Sequence, residues 1–250
     1  MSAPDMLQTA QGRRIAHHRV AGSGPGVVFL GGFRSDMTGT KAVFLHQWAE
    51  NRGRAFLRFD YSGHGASSGE FLDGCIGDWA EDAIAAFDAL TQGPQVLVGS
   101  SMGGWIALLL ARARPERVAA LVGIAAAPDF TEDSMWQGFT PAQRAALMEA
   151  GHVDLPSDYS DDPYRITRRL IEDGRQNLVL RAPLPLPFPV RLLQGTADTD
   201  VPPSVALRLL DHAESPDMRL TLVKGADHRF SDEACLTLLA DTLDSLPASA

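Results

Sequence analysis

Gln95–Val96–Leu97–Val98–Gly99–Ser100–Ser101–Met102–Gly103–Gly104 is a short apolar run that stops on a glycine, two serines and, past Met102, a glycine pair. Its apolar half is rich in β-branched residues, the composition of a strand buried on both faces. Met102 to Arg114 has the composition of a helix and ends at Pro115. Proline disfavours helix in the residue before it, so the boundary is marked. Strand, sharp turn and helix therefore follow one another without a linker, with Ser101 on the turn. A hydroxyl there stands clear of both elements. Such a turn has no room for side chains two positions either side, hence Gly99 and Gly103. The following helix also points its positive end at the same spot, where an attacked carbonyl would gain negative charge.

The same rhythm extends in both directions. Gly26 to Leu30, Ala55 to Phe59, Val118 to Ile124, Val190 to Leu193 and Met218 to Val223 read as strands. Helical spacing covers 41–51, 76–90, 202–211 and 233–246. Strands alternating with helices predict an α/β fold, with a mostly parallel sheet flanked by helices. The rhythm breaks between Pro128 and Pro189, where no good strand is legible. Two helices are expected there, over 141–150 and 163–179, followed by an extended proline-rich stretch at 182–189. We expect a helical cap at 128–187 inserted into a core domain formed by 1–127 and 188–250.

A bare G-x-S-x-G pattern is weak, and Gly65–Ala66–Ser67–Ser68–Gly69 matches it too. Ser67, however, lies in a loop several residues past its strand, with no helix starting behind it. Context therefore favours Ser101 as nucleophile, leaving Ser67 as a loop serine and Ser100 as a strand-end residue. A serine needs a base. His228 follows the last strand and precedes the last helix, at the sheet edge where α/β folds build their sites. Of the other histidines, His17, His18, His46, His152 and His212 read as structural, and His64 lies in a glycine-rich loop that could approach the site. Asp198, past the strand 190–193, is placed to orient the base. Asp200 is its neighbouring rival, with capping of the helix at Pro202–Pro203 as its other role. Asp129 is a second rival.

Oxyanion donors are expected from the amides of Met102, next after Ser101, and of Phe33, in the loop after the strand 26–30. Arg34 beside it either pairs with Asp36 or binds an acidic part of the substrate. Trp136, Phe139, Met135 and Met148 either line an acyl pocket or pack as the cap's own core.

Composition bounds the partners. A formal net charge of -9 with scattered basic residues disfavours a nucleic-acid partner. No apolar run reaches the roughly 20 residues of a membrane span. The N-terminus lacks a signal-peptide core, which reads as a cytoplasmic enzyme. Cys75 and Cys235 are two isolated cysteines, expected buried and reduced. No metal-ligand spacing occurs, and residues 31–39 match neither phosphate-loop pattern, so no metal or cofactor is expected. Oligomeric state is left open.

With these motifs in place the chain resembles the α/β-hydrolases from about residue 12 to its end. The stretches 60–67 and 195–202 resemble that family's loop after the fourth strand and its catalytic-acid turn, and the order Ser101, Asp198, His228 is the family's order. More narrowly, Gly32 to Ala42 with Arg58 to Gly63 is similar to the abhydrolase-domain-containing-protein-10 type, which includes a palmitoyl-protein thioesterase that also hydrolyses acyl glucuronides. The resemblance implies a serine hydrolase acting on a small-molecule carboxylic ester or thioester. Animal members of that type are mitochondrial, and this chain shows no arginine-rich presequence, so a bacterial relative is expected. A peptidase or carbon–carbon hydrolase on the same triad, or a non-catalytic binding protein on the same fold, are the alternatives.

Overall fold

The structure, a computed structural model, describes residues 3–155 and 164–246 of the 250. In chain order its elements are β1 (Asp5–Gln8), β2 (Arg14–Val20), β3 (Ser23–Leu30), α1 (Thr40–Arg52), β4 (Arg54–Phe59), α2 (Ile76–Leu90), β5 (Gln95–Ser100), α3 (Met102–Ala113) and β6 (Val118–Ile124). There follow α4 (Pro141–Ala150), β7 (His152–Leu155), β8 (Tyr164–Thr167), α5 (Arg168–Gln176), β9 (Leu184–Pro185), β10 (Val190–Gly195), α6 (Pro203–His212), β11 (Ala213–Glu214), β12 (Met218–Val223) and α7 (Glu233–Asp244).

Eight strands form one sheet in the order β1-β2-β4-β3-β5-β6-β10-β12. The pairs β1–β2 and β2–β4 are antiparallel and every later pair is parallel. Alternation along the central strands divides the core. Val27, Phe29, Val96 and Val98 face one side and pack with Leu45 and Trp48 of α1 and Leu239 and Leu243 of α7. Val28, Leu30 and Leu97 face the other, against Trp79 and Phe87 of α2 and Trp105 of α3. The strand interiors are buried on both faces, as parallel sheets covered by helices require. Each fully buried aliphatic side chain contributes about 1.5–3 kcal/mol.

Register fixes where the site can lie. Leu30 pairs with Gly99, Ser100 with Ile124, and Gly195 with Val223, so the carboxyl ends of these strands meet at one edge. Phe33, Ser101, Asp129, Asp198 and His228 all follow a strand at that edge.

The segment between β6 and β10 departs from expectation. It holds a π-helical turn over Thr131–Trp136 and the expected α4, begun by a capping box between Thr140 and Gln143. It also holds strands where none was legible: β7 pairs antiparallel with β8, with Val153 opposite Ile166. The helix expected over 163–179 is reduced to α5 at Arg168–Gln176, capped by the Thr167 side chain; Pro163 lies outside the described residues. The cause is visible in the residues. Ile166, Leu170 and Ile171 repeat at helical spacing, yet Tyr164–Arg165–Ile166–Thr167 also alternates. Pairing with β7 buries Ile166 and decides between the two periods. The segment is tied to the core where Asp173 of α5 accepts a hydrogen bond from the Gly77 amide in the first turn of α2 (2.7 Å).

Candidate active site

Ser101 sits at φ 54°, ψ −120°, a left-handed φ that a residue with a side chain adopts only under constraint. The constraint is packing. A Cβ on Gly99 would come 2.3 Å from the Gly103 carbonyl oxygen, and one on Gly103 would come 2.0 Å from the Leu30 carbonyl oxygen. The turn closes through hydrogen bonds from the Ser101 amide to the Ile124 carbonyl (2.9 Å) and from the Ala127 amide to the Ser101 carbonyl (3.1 Å). Ser101 is also the N-cap of α3, with no side-chain cap on that helix end. The first N–H groups of α3 thus face the site without a side-chain acceptor.

His228 bridges two side chains. Its Nε2 lies 3.1 Å from Ser101 Oγ and its Nδ1 2.9 Å from Asp198 Oδ2. The Asp198 side chain is fully buried. Its Oδ2 also accepts from Gln194 Nε2 (2.9 Å), and its Oδ1 accepts from the amides of Asp200 (3.0 Å) and Val201 (2.8 Å). Burial alone would raise the Asp198 pKa. The hydrogen bonds from His228, Val201 and Gln194, with the His228 charge, outweigh it and hold the carboxyl below its ordinary value. A carboxylate so held stays ionised beside an imidazole.

The rivals occupy other posts. Asp129, buried and at φ 58°, accepts from the amides of Val179 (2.8 Å) and Leu180 (3.0 Å) and from Arg181 (3.0 Å), which anchors the returning chain. Asp200 lines the same cavity as Ser101. The N-cap position of α6 itself is taken by Pro202. Ser67 is spent on structure: its hydroxyl donates to the Asp60 carbonyl (2.7 Å) and accepts from the Ala16 amide (2.8 Å). His64 is buried among Tyr61, Phe71 and Trp79 with Nδ1 on the Ser62 carbonyl (3.2 Å), and is not among the residues lining the cavity. His212 is bonded to the Ala182 carbonyl, His152 to the Ala150 carbonyl, and His46 faces Glu50.

Ser101, Met102 and His228 open on a cavity of about 890 Å³, shared with Gly32, Phe33 and Arg34. Drug-sized ligands occupy volumes of this order. The Phe33 ring is wedged among Phe71 (4.9 Å between centroids), Phe130 (5.8 Å) and Trp79 (5.9 Å), which fixes the backbone carrying its amide. Of the two roles considered for Arg34, pairing with Asp36 is not the one it takes. Its guanidinium lies over the rings of Tyr164 (4.7 Å) and Phe71 (5.3 Å), while Asp36 accepts from the Thr38 amide (2.7 Å).

Trp136 and Phe139, considered for substrate binding, are turned away from the cavity lining. Phe139 is buried in the core and Trp136 packs against it, with Arg175 and Arg144 over the indole. A π-helical turn holds more residues than an α-turn, so it shifts which of them face inward. Met135, Phe130 and Tyr164 line the cavity in their place. Met148 is exposed. Tyr164, Lys41 and Arg208 also line it and were not singled out in the sequence. Tyr164 stood in a stretch read as helix, and nothing local marks the other two.

Cys75 and Cys235 are buried, and burial pushes their thiols up to about 12 and about 11, so neither is a thiolate near neutrality. Among the described residues no cluster of three or more His, Cys, Asp or Glu side chains could hold a metal ion, and no helix is long and apolar enough to cross a membrane.

Comparison with known proteins agrees with this architecture. A model of the alpha/beta hydrolase family matches residues 27–241. Over 233 residues the chain is 40% identical to the rat protein named mitochondrial palmitoyl-protein thioesterase ABHD10, covering 93% of this chain and 78% of that protein. The human counterpart is 37% identical over the same length. A crystal structure of a hydrolase candidate from Agrobacterium vitis S4 superposes with a TM-score of 0.92 at 42% identity, covering 98% of this chain and 97% of the other. The mouse alpha/beta hydrolase domain-containing protein 10 superposes with a TM-score of 0.91 at 36% identity, covering 98% of each. The match covers nearly the whole chain in both sequence and fold: the chain belongs to the alpha/beta hydrolase family.

Proposed function

We propose that this chain is a serine hydrolase that cleaves carboxylic esters or thioesters through an acyl-enzyme on Ser101. The observation that carries the reading is the unbroken contact chain Ser101 Oγ–His228 Nε2 (3.1 Å) and His228 Nδ1–Asp198 Oδ2 (2.9 Å) beside a cavity.

The steps follow from the groups in place. His228 takes the Ser101 proton as Oγ attacks the acyl carbonyl, and Asp198 stabilises the imidazolium that forms. The carbonyl oxygen becomes an oxyanion beside the amides of Met102 and Phe33, each such donor being worth about 3 kcal/mol. His228 returns the proton to the departing alcohol or thiol. Water, deprotonated by the same nitrogen, then cleaves the acyl-serine. Phe33, Phe130 and Met135 give the acyl chain an apolar wall, and Arg34 presents a stacked cation on the same wall for an anionic part of the substrate. The thioesterase name of the rat and human relatives supports placing thioesters within the substrate class.

The test is a panel of p-nitrophenyl esters, acyl thioesters, peptide anilides and vinylogous diketones, with wild type, Ser101→Ala and Ser67→Ala. Turnover of esters or thioesters that Ser101→Ala abolishes and Ser67→Ala preserves is the expected result. Turnover confined to anilides or diketones would replace the substrate class, and turnover that survives Ser101→Ala would overturn the mechanism.

A further inference from the structure

Lys41 stands in the first turn of α1, just after the loop that carries the Phe33 amide. Its side chain reaches across to the loop between β12 and α7, where Nζ donates to the Arg229 carbonyl and to Ser231 Oγ (3.3 Å). Arg229 is the residue next to His228. The same loop is strained: Phe230 is buried at φ 48°. Such a backbone persists only where its surroundings over-determine it. Three anchors meet there. Asp227 accepts from the Phe230 amide (3.1 Å), Ser231 Oγ donates to the Arg229 carbonyl (2.7 Å), and Lys41 holds both Ser231 and that carbonyl. Lys41 is the anchor that comes from a distant part of the chain.

We propose that Lys41 is a positioning residue for His228, clamping the loop that carries the base onto the helix that follows the oxyanion loop. The proposal rests on the reading of Ser101, His228 and Asp198 as the reacting groups. It goes beyond that reading by adding a fourth side chain, one that holds the backbone of the residue after the base and not the base's ring. A base must hold its nitrogen within hydrogen-bond reach of the serine, and an error of about 1 Å costs on the order of 100-fold in rate. Asp198 fixes the imidazole at Nδ1, and Lys41 fixes the chain just beyond it.

The ammonium is kept at a cost. Burial lowers it to about 8, opposed by Asp227 and Cys235 and reinforced by Arg229, the charged and titratable groups that face it from the loop and from α7. A methionine would fill similar volume without that cost. A neutral amine retains two N–H groups, enough for both acceptors, so the clamp outlasts deprotonation. Substitution is therefore the sharper test.

The experiment compares wild type, Lys41→Met and Ser231→Ala in steady-state ester hydrolysis and in the rate of labelling by a fluorophosphonate probe. Lys41→Met should lower kcat and the labelling rate together by about 10- to 100-fold, with KM within about twofold and a melting temperature no lower than wild type. Ser231→Ala, which removes one of the lysine's two acceptors together with the Ser231 bond to the Arg229 carbonyl and leaves the lysine, should lose about 3- to 10-fold in kcat. It decides the matter if Lys41→Met does not fold. Unchanged kcat and labelling in the variants would overturn the proposal. So would a raised KM at unchanged kcat, which would make Lys41 a substrate contact. Labelling of wild type at Ser101 shows that the underlying reading stands in either case; absence of that labelling would remove the reading and this inference with it.

Discussion

Gln194 and Asp198 are joined inside the protein: the Gln194 amide, completely buried, donates to Asp198 Oδ2 at 2.9 Å, the same oxygen that faces His228 Nδ1. Together with the amides of Asp200 and Val201, this gives the carboxylate four donors and one orientation. Asp198→Asn should keep the fold and lower kcat on the order of 1,000- to 10,000-fold, because an amide can favour the wrong tautomer of the base. Asp129→Asn should instead lower the melting temperature and leave kcat of the folded fraction near wild type. Reversal of these two outcomes, read by steady-state kinetics and thermal unfolding, would exchange the roles of the two acids.

Ser67 and Ser101 share a sequence pattern but not a setting. Ser67→Ala removes a half-buried hydroxyl that joins Asp60 to Ala16, leaving both without that partner. A loss of about 1–3 kcal/mol in unfolding free energy is expected, with kcat unchanged. Denaturant titration checks the first number. A large drop in kcat without loss of stability would contradict the structural role.

The insertion offers a paired test. Met135 faces the cavity, whereas Trp136 beside it packs on Phe139 and under Arg175. Met135→Ala should change KM across a series of acyl chain lengths at nearly constant stability. Trp136→Ala should cost about 1–3 kcal/mol of stability with KM unchanged. Equal effects of both on KM would mean that the indole reaches the substrate after all.

Much of this was legible in advance because it depends on local order. The run from Gln95 to Gly104 carries its own strand, turn and helix signals, and the turn that results can hold only glycine at 99 and 103. His228 and Asp198 are likewise marked by the strands they follow. What escaped depends on partners distant in sequence. The Tyr164–Thr167 strand exists because Val153 pairs with Ile166, and no local signal separates it from the helix that follows. Arg34 has Asp36 two residues away, yet it stacks on Tyr164, a contact that only folding creates. Lys41 bonds to residues 188 and 190 positions away, and its neighbours in sequence say nothing of them.

Stability should fall in mild acid. His17, His18, His46 and His64 all have pKa values lowered from the ordinary 6.5, in each case chiefly by burial. Below 6.5 the unfolded chain therefore takes up protons that the folded chain refuses, so stability is full above that pH and declines as pH falls through it. Asp198 behaves as a depressed carboxyl: its contribution is present above the ordinary 3.8 and is lost only as pH falls through its lower folded value. Melting temperatures measured between pH 8 and 4 should show the histidine phase first. His64→Phe should flatten part of the slope. A melting temperature indifferent to pH from 7 to 5 would contradict this assignment.

Acylation of Ser101 is the step on which the proposed mechanism turns. Wild-type protein mixed with a p-nitrophenyl ester and quenched in acid within the first turnover should carry the acyl mass on the peptide containing Ser101, with a burst of p-nitrophenol approaching one equivalent per chain. An acyl group found on the peptide containing Ser67, or turnover with no covalent adduct at all, would contradict it.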